Sequence, residues 1–346
     1  MRLRATRVQA AWPGPLARRI RPIATLSGGL AAVLVIAGCN PFSSLSSSAS
    51  SQTITVAAVP GINNANLYLA VKDGYFTSAG VTVKIERFSS VKQAITALNQ
   101  GQVDVISADY GDMLWQEANS KHPIYQILAD GYDASPGVIE ILTMPTSSVK
   151  TPANLAGLQI PVPDVDTVTE SEGVPTTLAL ASATSVLQSD GVNLAAVDWQ
   201  EMGQSKEIDA LVHGHVQAAL LTGTGVFQAE QEGAVELVDG CSGPTSSIPL
   251  DGFFTTSSWI KEDHSGAAHA FQQGIYAADA AAAMPGPIQS VLPSWIKDLA
   301  PHEADLVTTG TYPLATIVAN VQRTAGLVAI EGMTQSEINV NTMLVK

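Results

Sequence analysis

From residue 54 onward the hydrophobic positions of the chain switch repeatedly between two periods. Short apolar or alternating runs over 54–59, 81–88 and 103–107 predict strands, and 3.6-residue spacing over 65–78 and 91–99 predicts helices between them. Repeated strand–helix units predict a parallel-rich sheet flanked by helices. Gly101 directly follows the helical pattern of Ala94, Ile95, Ala97 and Leu98, as a C-cap that turns the chain into its next strand. The same design returns at an offset of 113 residues, pairing Ile95 with Ile208, Gly101 with Gly214 and Val103 with Val216. Two α/β lobes of like construction follow from it; chance recurrence of a common helix–glycine–strand signal is the alternative.

Between the two copies, a short helix over 151–157 leads into a strand over 159–162, and further strands are expected at 196–200 and 218–222. After Gly240 the chain is turn-rich, and 252–256 reads as an extended return segment. Helices are expected over 267–284, ended by Pro285-Gly286-Pro287, and over 312–330, with 338–345 closing the chain. Trp115, Trp199, Trp259 and Trp295 are expected to fill the lobe cores.

The first 52 residues follow another logic. Arg2, Arg4, Arg7, Arg18, Arg19 and Arg21, with no acidic residue, precede an apolar run over 23–37 that ends in Ile36-Ala37-Gly38-Cys39. The run is short for a bilayer span, and small residues before a cysteine read as a lipobox. The segment resembles a bacterial lipoprotein signal, the alternatives being an uncleaved membrane anchor or a buried apolar helix. The resemblance implies cleavage after residue 38 and lipidation of Cys39 on its sulfur and new amino end, as stable anchoring needs more than one acyl chain. Arg18-Arg19 leaves Sec and twin-arginine export both open. Residues 40–52, NPFSSLSSSASSQ, read as a flexible tether of about 20 Å root-mean-square span.

Removing the leader sharpens the electrostatics. Six of the 17 basic residues precede Cys39 and none of the 31 acidic ones does, leaving 11 against 31, a net charge of −20. Such a surface repels nucleic acid and anionic head groups, so neither is an expected partner. Cys241 has no second cysteine beyond the lipid-bearing one, so no disulfide framework is possible. The histidines lack metal-ligand spacing; His213 and His215 fit a helix end better than zinc. No cofactor is expected.

The segment from Leu67 to Val83, with Asp73-Gly74-Tyr75-Phe76 and Ala79-Gly80-Val81 at its turns, resembles the first helix and second strand of ABC-importer substrate-binding proteins, in the subgroup that handles nitrate, sulfonates, taurine and thiamine-pyrimidine precursors. Ala97-Leu98 with Gly101-Gln102-Val103-Asp104-Val105, then Leu155-Ala156-Gly157-Leu158-Gln159-Ile160, match the next signatures in order, as does the pattern from Gly326-Leu327 to Met343-Leu344. The resemblance implies a two-lobed type II periplasmic-binding-protein fold with two crossover hinge segments. It divides the chain into a signal peptide (1–38), the tether (39–52), lobe one (53–142 and 252–346) and lobe two (143–251). It further implies a monomer held at the extracytoplasmic face of the cell membrane by the lipid on Cys39, which captures a small-molecule solute and passes it to ABC permease subunits.

Ligands of open α/β sheets bind outside the carboxyl ends of strands, so residues just after each strand are the candidate contacts. In lobe one these are Asn63, Asn64 and Asn66, Ser89 and Ser90, Asp109 and Tyr110, and Tyr132; in lobe two they are Asp166, Thr167 and Thr169, then Thr222 and Thr224. Asn and Ser here are equally ordinary helix N-caps, Asp109 can simply cap the helix that begins near Gly111, and the tyrosines can be core aromatics. Neither Arg87, in a strand, nor Arg323, in a helix, lies in an expected cleft loop, whereas Asp109, Asp133 and Asp166 lie near its mouth. This balance tilts the solute toward a neutral or cationic molecule, although helix N-termini alone can hold anions. Two other classes stay open: an enzyme of the pyrimidine-synthesising or menaquinone-pathway kind on the same general fold, and a tethered sensor without transport.

Overall fold

The computed structural model describes residues 52–121, 124–163 and 177–345. Ten strands run in chain order: β1 (Gln52–Ala58), β2 (Val81–Arg87), β3 (Val105–Asp109), β4 (Tyr125–Asp133), β5 (Ile139–Thr143), β6 (Gln159–Pro163), β7 (Asp198–Met202), β8 (Ala218–Thr222), β9 (Val235–Asp239) and β10 (Pro249–Thr256). The first sheet has the order β2-β1-β3-β10-β4, with β1 parallel to β2 and β3 and with β10 antiparallel to both its neighbours. β1 is buried at Ile54, Val56, Ala57 and Ala58, as a strand covered on both faces requires. Edge strand β2 instead alternates, burying Val81 and Val83 and carrying an exposed Lys84–Glu86 ion pair at 2.8 Å, charges that discourage edge-to-edge pairing.

The second lobe holds a three-stranded sheet, β8-β5-β9, in which β5 is antiparallel to both neighbours, and a parallel pair β6-β7 whose β6 packs beside β8. The repeated design takes the same shape in both lobes. Helix Val91–Asn99 and helix Gln204–Val212 are each followed by a glycine in the left-handed region, Gly101 (φ 67°) and Gly214 (φ 72°), and each then feeds a strand, β3 and β8.

Several boundaries differ from the sequence reading. The 65–78 helix is two helices, Ala65–Lys72 and Tyr75–Ser78, because Gly74 between them adopts φ 76°. The last long helix begins only at Val318; the segment before it is held by tertiary hydrogen bonds, from Thr316 N–H to the Tyr276 hydroxyl (3.0 Å) and from the Tyr312 hydroxyl to Ile62 O (2.5 Å). Of the four tryptophans expected in the cores, only Trp295 is fully buried; Trp115, Trp199 and Trp259 are half-buried.

The lobe boundaries expected at 142/143 and 251/252 both fall inside strands. Ile139–Thr143 belongs to the second lobe's sheet and Pro249–Thr256 to the first's, so the chain crosses at 134–138 and 240–248. The two crossovers hydrogen-bond to each other, Ala134 N–H to Ile248 O (2.8 Å) and Ser247 N–H to Ala134 O (3.3 Å). Arg323 also donates to the carbonyls of Pro244 and Ser246 on the second crossover. Cys241 lies there as a buried free thiol, which burial, then Asp239, push up to about 12.

Candidate functional site

The edges of the two sheets face one cavity of about 470 Å³. On the first lobe, its wall is built by the turn after β1 (Val59 to Asn63), the turn after β2 (Ser89, Ser90), the end of β3 (Asp109) and the start of β10 (Leu250, Asp251). On the second, it is built by the start of β5 (Val138, Ile139), the end of β6 (Pro163), the end of β8 with the turn after it (Thr222, Gly223, Thr224), and the helix starts at Thr177 and Gln204. Parallel strands present their carboxyl ends here; antiparallel β5 and β10 present their amino ends, as Ile139 pairs with Thr222 and Asp251 with Asp109.

Seven of the sequence candidates line this cavity: Asn63, Ser89, Ser90, Asp109, Tyr132, Thr222 and Thr224. Several also serve the local fold. The Ser90 hydroxyl caps helix Val91–Asn99 at Gln93 N–H, and the Asp109 carboxylate caps helix Tyr110–Ala118 by accepting from the N–H groups of Gly111 (2.6 Å) and Asp112 (3.2 Å). Tyr132 sits within β4 rather than after it.

Three candidates turn away from the cavity, and each for the same reason: its polar group is already used inside the first lobe. Asn64 donates to Val59 O and the Ser107 hydroxyl while its carbonyl accepts from Gly61 N–H and the Trp295 indole. Asn66, fully buried, donates to Gly131 O (3.2 Å) and to Asp279 Oδ1 (2.8 Å). Tyr110 is a core aromatic that donates its hydroxyl to Asp130, packs edge-on against Phe254 and lies so close to Gly252 that a side chain there would meet its ring. Asp133, expected near the mouth, does not line the cavity either. Asp166, Thr167, Thr169 and the proposed lipidation site Cys39 lie outside the described residues.

The cavity wall also holds polar residues the sequence reading missed: Asp112, Thr177, Gln204 and Asp251. Asp251 accepts a 2.8 Å hydrogen bond from Asn63 and stands directly opposite Asp109 across the β3–β10 ladder, a like-charge pairing that a sheet ordinarily avoids. Burial raises the Asp109 carboxyl well above its usual range, with Asp112 and Asp251 adding to the effect and the two backbone N–H groups opposing it. Asp251 is pushed up to about 6 by burial, opposed by the Asn63 amide. Tyr132, only 3% exposed, keeps its hydroxyl without a hydrogen-bond partner, and so does the Gln204 side-chain NH₂. No lysine, arginine or histidine lines the cavity among the described residues. Arg87 is committed elsewhere: its guanidinium lies 4.7 Å from the Trp295 ring and donates to Ser294 O.

Residues 62–286 match the family model described as NMT1/THI5 like. A comparison of the sequence with curated proteins finds no match. Among solved structures the chain is similar to the periplasmic aliphatic sulphonate binding protein SsuA from Escherichia coli, at a TM-score of 0.66 and 15% identity over 85% of this chain and 97% of that one. It is also similar to the alkanesulfonate-binding protein SsuA from Xanthomonas axonopodis pv. citri bound to MOPS, at a TM-score of 0.62 and 16% identity over 84% and 97%. A third similar structure is a DSZB mutant in complex with biphenyl-2-sulfinic acid, at a TM-score of 0.64 and 14% identity over 85% and 96%. At these identities the likeness is one of fold, and the fold is the two-lobed periplasmic-binding-protein type.

Proposed function

This chain belongs to the NMT1/THI5 like family, and we propose that within it the protein is an extracytoplasmic binding lipoprotein that captures a small polar organic solute between its lobes and delivers it to an ABC permease. The observation that carries this reading is the cavity itself. Loops from both lobes converge on one partly open cavity, so a solute bound there touches both lobes at once and favours their closure around the crossovers at 134–138 and 240–248. That solved relatives of this fold are described as sulphonate-binding periplasmic proteins supports a binding role.

The one thiol of the described residues, Cys241, lies buried in the second crossover and does not line the cavity. The direct test is a thermal-shift and calorimetric panel of sulfonates, nitrate, pyrimidines, polyamines and riboflavin-like compounds, followed by uptake in cells lacking the protein. A stoichiometric ligand whose uptake fails without the protein is the expected result. Turnover of that ligand, or binding with uptake unchanged, would point to the enzyme or the sensor instead.

The anchor is tested separately. Cys39→Ser should release the protein from the membrane pellet into the soluble fraction in detergent-free fractionation, because the acyl chains are its only proposed hold on the bilayer. A variant that still sediments wholly with membranes would remove the lipoprotein assignment.

A further inference from the structure

We propose that a hydrogen bond between the lobes, from the Thr184 hydroxyl to the Glu331 carboxyl group, is a releasable latch that holds the lobes at their present separation and parts when they move. Thr184 lies on helix Leu178–Ser189 of the second lobe, Glu331 caps helix Val318–Ile330 of the first, and their oxygens stand 2.9 Å apart. The chain crosses between the lobes elsewhere, at 134–138 and 240–248. Rotation of one lobe against the other about those crossovers therefore changes the length of this bond.

The seam around the bond is close-packed. Leu178 of the second lobe and Met333 of the first both lie against Gly111 of the first, where an added Cβ would come within 3.3 Å of Leu178 Cβ and 2.9 Å of Met333 Cε. Thr184 is 3% exposed, and Glu331 Oε1 is shut off from solvent without a hydrogen-bond partner. Among the described residues the Thr184 hydroxyl is the one donor to the Glu331 side chain. Burial raises the Glu331 carboxyl above its usual range, and the Thr184 hydrogen bond opposes that rise.

Two features make the contact releasable. The Thr184 oxygen also stands 2.8 Å from Leu180 O and 3.0 Å from Ala181 O of its own helix. A hydroxyl has a single proton to donate, so when the lobes part it turns to those carbonyls and keeps a partner. Glu331 is half-buried at a helix end, and parting opens both of its oxygens to water, including the one now unpartnered. The hydrogen bond favours the latched form and the buried carboxylate favours the parted one, so the two stay close in free energy.

The test reads lobe separation with no solute present. Spin labels at Lys92→Cys in the first lobe and Gln188→Cys in the second, both exposed helical positions, report the distance by double electron-electron resonance in the full-length protein in detergent. Thr184→Val leaves the carboxylate in the seam without a donor and should raise the population at a second, displaced distance about tenfold. Thr184→Ser keeps the hydroxyl and should reproduce the wild-type distribution. Adding Glu331→Met to Thr184→Val makes both sides of the contact apolar and should restore the wild-type distribution, which a mere loss of helix stability at residue 184 would not allow. A Thr184→Val distribution identical to wild type, a Thr184→Ser variant as displaced as Thr184→Val, or a double variant as displaced as the single one would overturn the latch. No solute enters this measurement, so its outcome is independent of the solute panel and of the uptake test.

Discussion

Raising the pH from 5 to 8 should lower the melting temperature of this protein by roughly 5–10 °C, since each kcal/mol is worth about 2–4 °C in a domain of this size class. The cause is a set of carboxyls inside the first lobe with no basic partner among the described residues. Asp130 is 1% exposed and is pushed up to about 7 by burial, opposed by the Tyr110 hydroxyl and raised further by Asp133. Asp133 is held at about 6 by burial, and Asp279 well above its usual range by burial with Asp133 and Asp130 nearby. One oxygen each of Asp133 and Asp279 has no hydrogen-bond partner.

Because these folded-state values lie above the unfolded ones, the folded chain holds more protons. Its stability is therefore fullest below the unfolded carboxylate range and is lost as pH rises through about 6 and about 7. For Asp130 the shift corresponds to a few kcal/mol at about 1.4 kcal/mol per unit. Differential scanning calorimetry across pH in low and high salt checks this. Surface self-repulsion of a net-negative chain has the same sign but is screened by salt, whereas ionisation of a buried group is not. Asp130→Asn should flatten the profile above pH 6; a wild-type melting temperature that climbs steadily from pH 5 to 8 would contradict the account.

Trp295→Ala should destabilise the protein by about 3–5 kcal/mol, the usual cost of deleting a buried tryptophan, and should weaken solute binding as well. Trp295 is 1% exposed, stacks on Tyr68 at 5.1 Å, and donates its indole N–H to Gly61 O (3.0 Å) and Asn64 Oδ1 (2.9 Å). It therefore lies beneath the turn from Val59 to Asn63 that forms one wall of the cavity. Truncation leaves a void under that turn and strips a donor from Asn64. Trp295→Phe keeps most of the packing and loses only the donor, for about 1–3 kcal/mol. Chemical denaturation of the three proteins, with titration of whichever ligand the panel yields, measures both effects. Equal stability of Trp295→Ala and wild type would show that this side chain does not support the site.

The candidate site was legible where a residue's place along its strand decided its surroundings. Asn63, Ser89, Ser90, Asp109, Thr222 and Thr224 follow or end strands whose limits the hydrophobic pattern locates to within two residues, and these positions meet at the cavity. Asn64 and Asn66 carry the same local signal as Asn63. They turn inward because their partners, Trp295 and Asp279, arrive from 231 and 213 residues away. Asp251 was readable only as the residue before an extended return segment, and it reaches the cavity because β10 runs antiparallel to β3. Gln204 starts a helix whose match to the first lobe begins only at Ile208, so the repeat does not reach it.

The sequence by itself determined the α/β class, the places of β1, β2, β3, β6, β7, β8 and β10 along the chain, the left-handed glycine turns after the two matching helices, and the excess of acid over base. Each depends on local periodicity, on backbone sterics or on composition, which neighbours along the chain carry in full. Only the tertiary structure decided where the chain crosses between lobes, that β5 and β10 run against their neighbours, which asparagines and tyrosines face the cavity, and that Asp109, Asp112 and Asp251 line it together. Those outcomes depend on which distant segment supplies a hydrogen bond or a charge at a given point, and no window of sequence contains both partners.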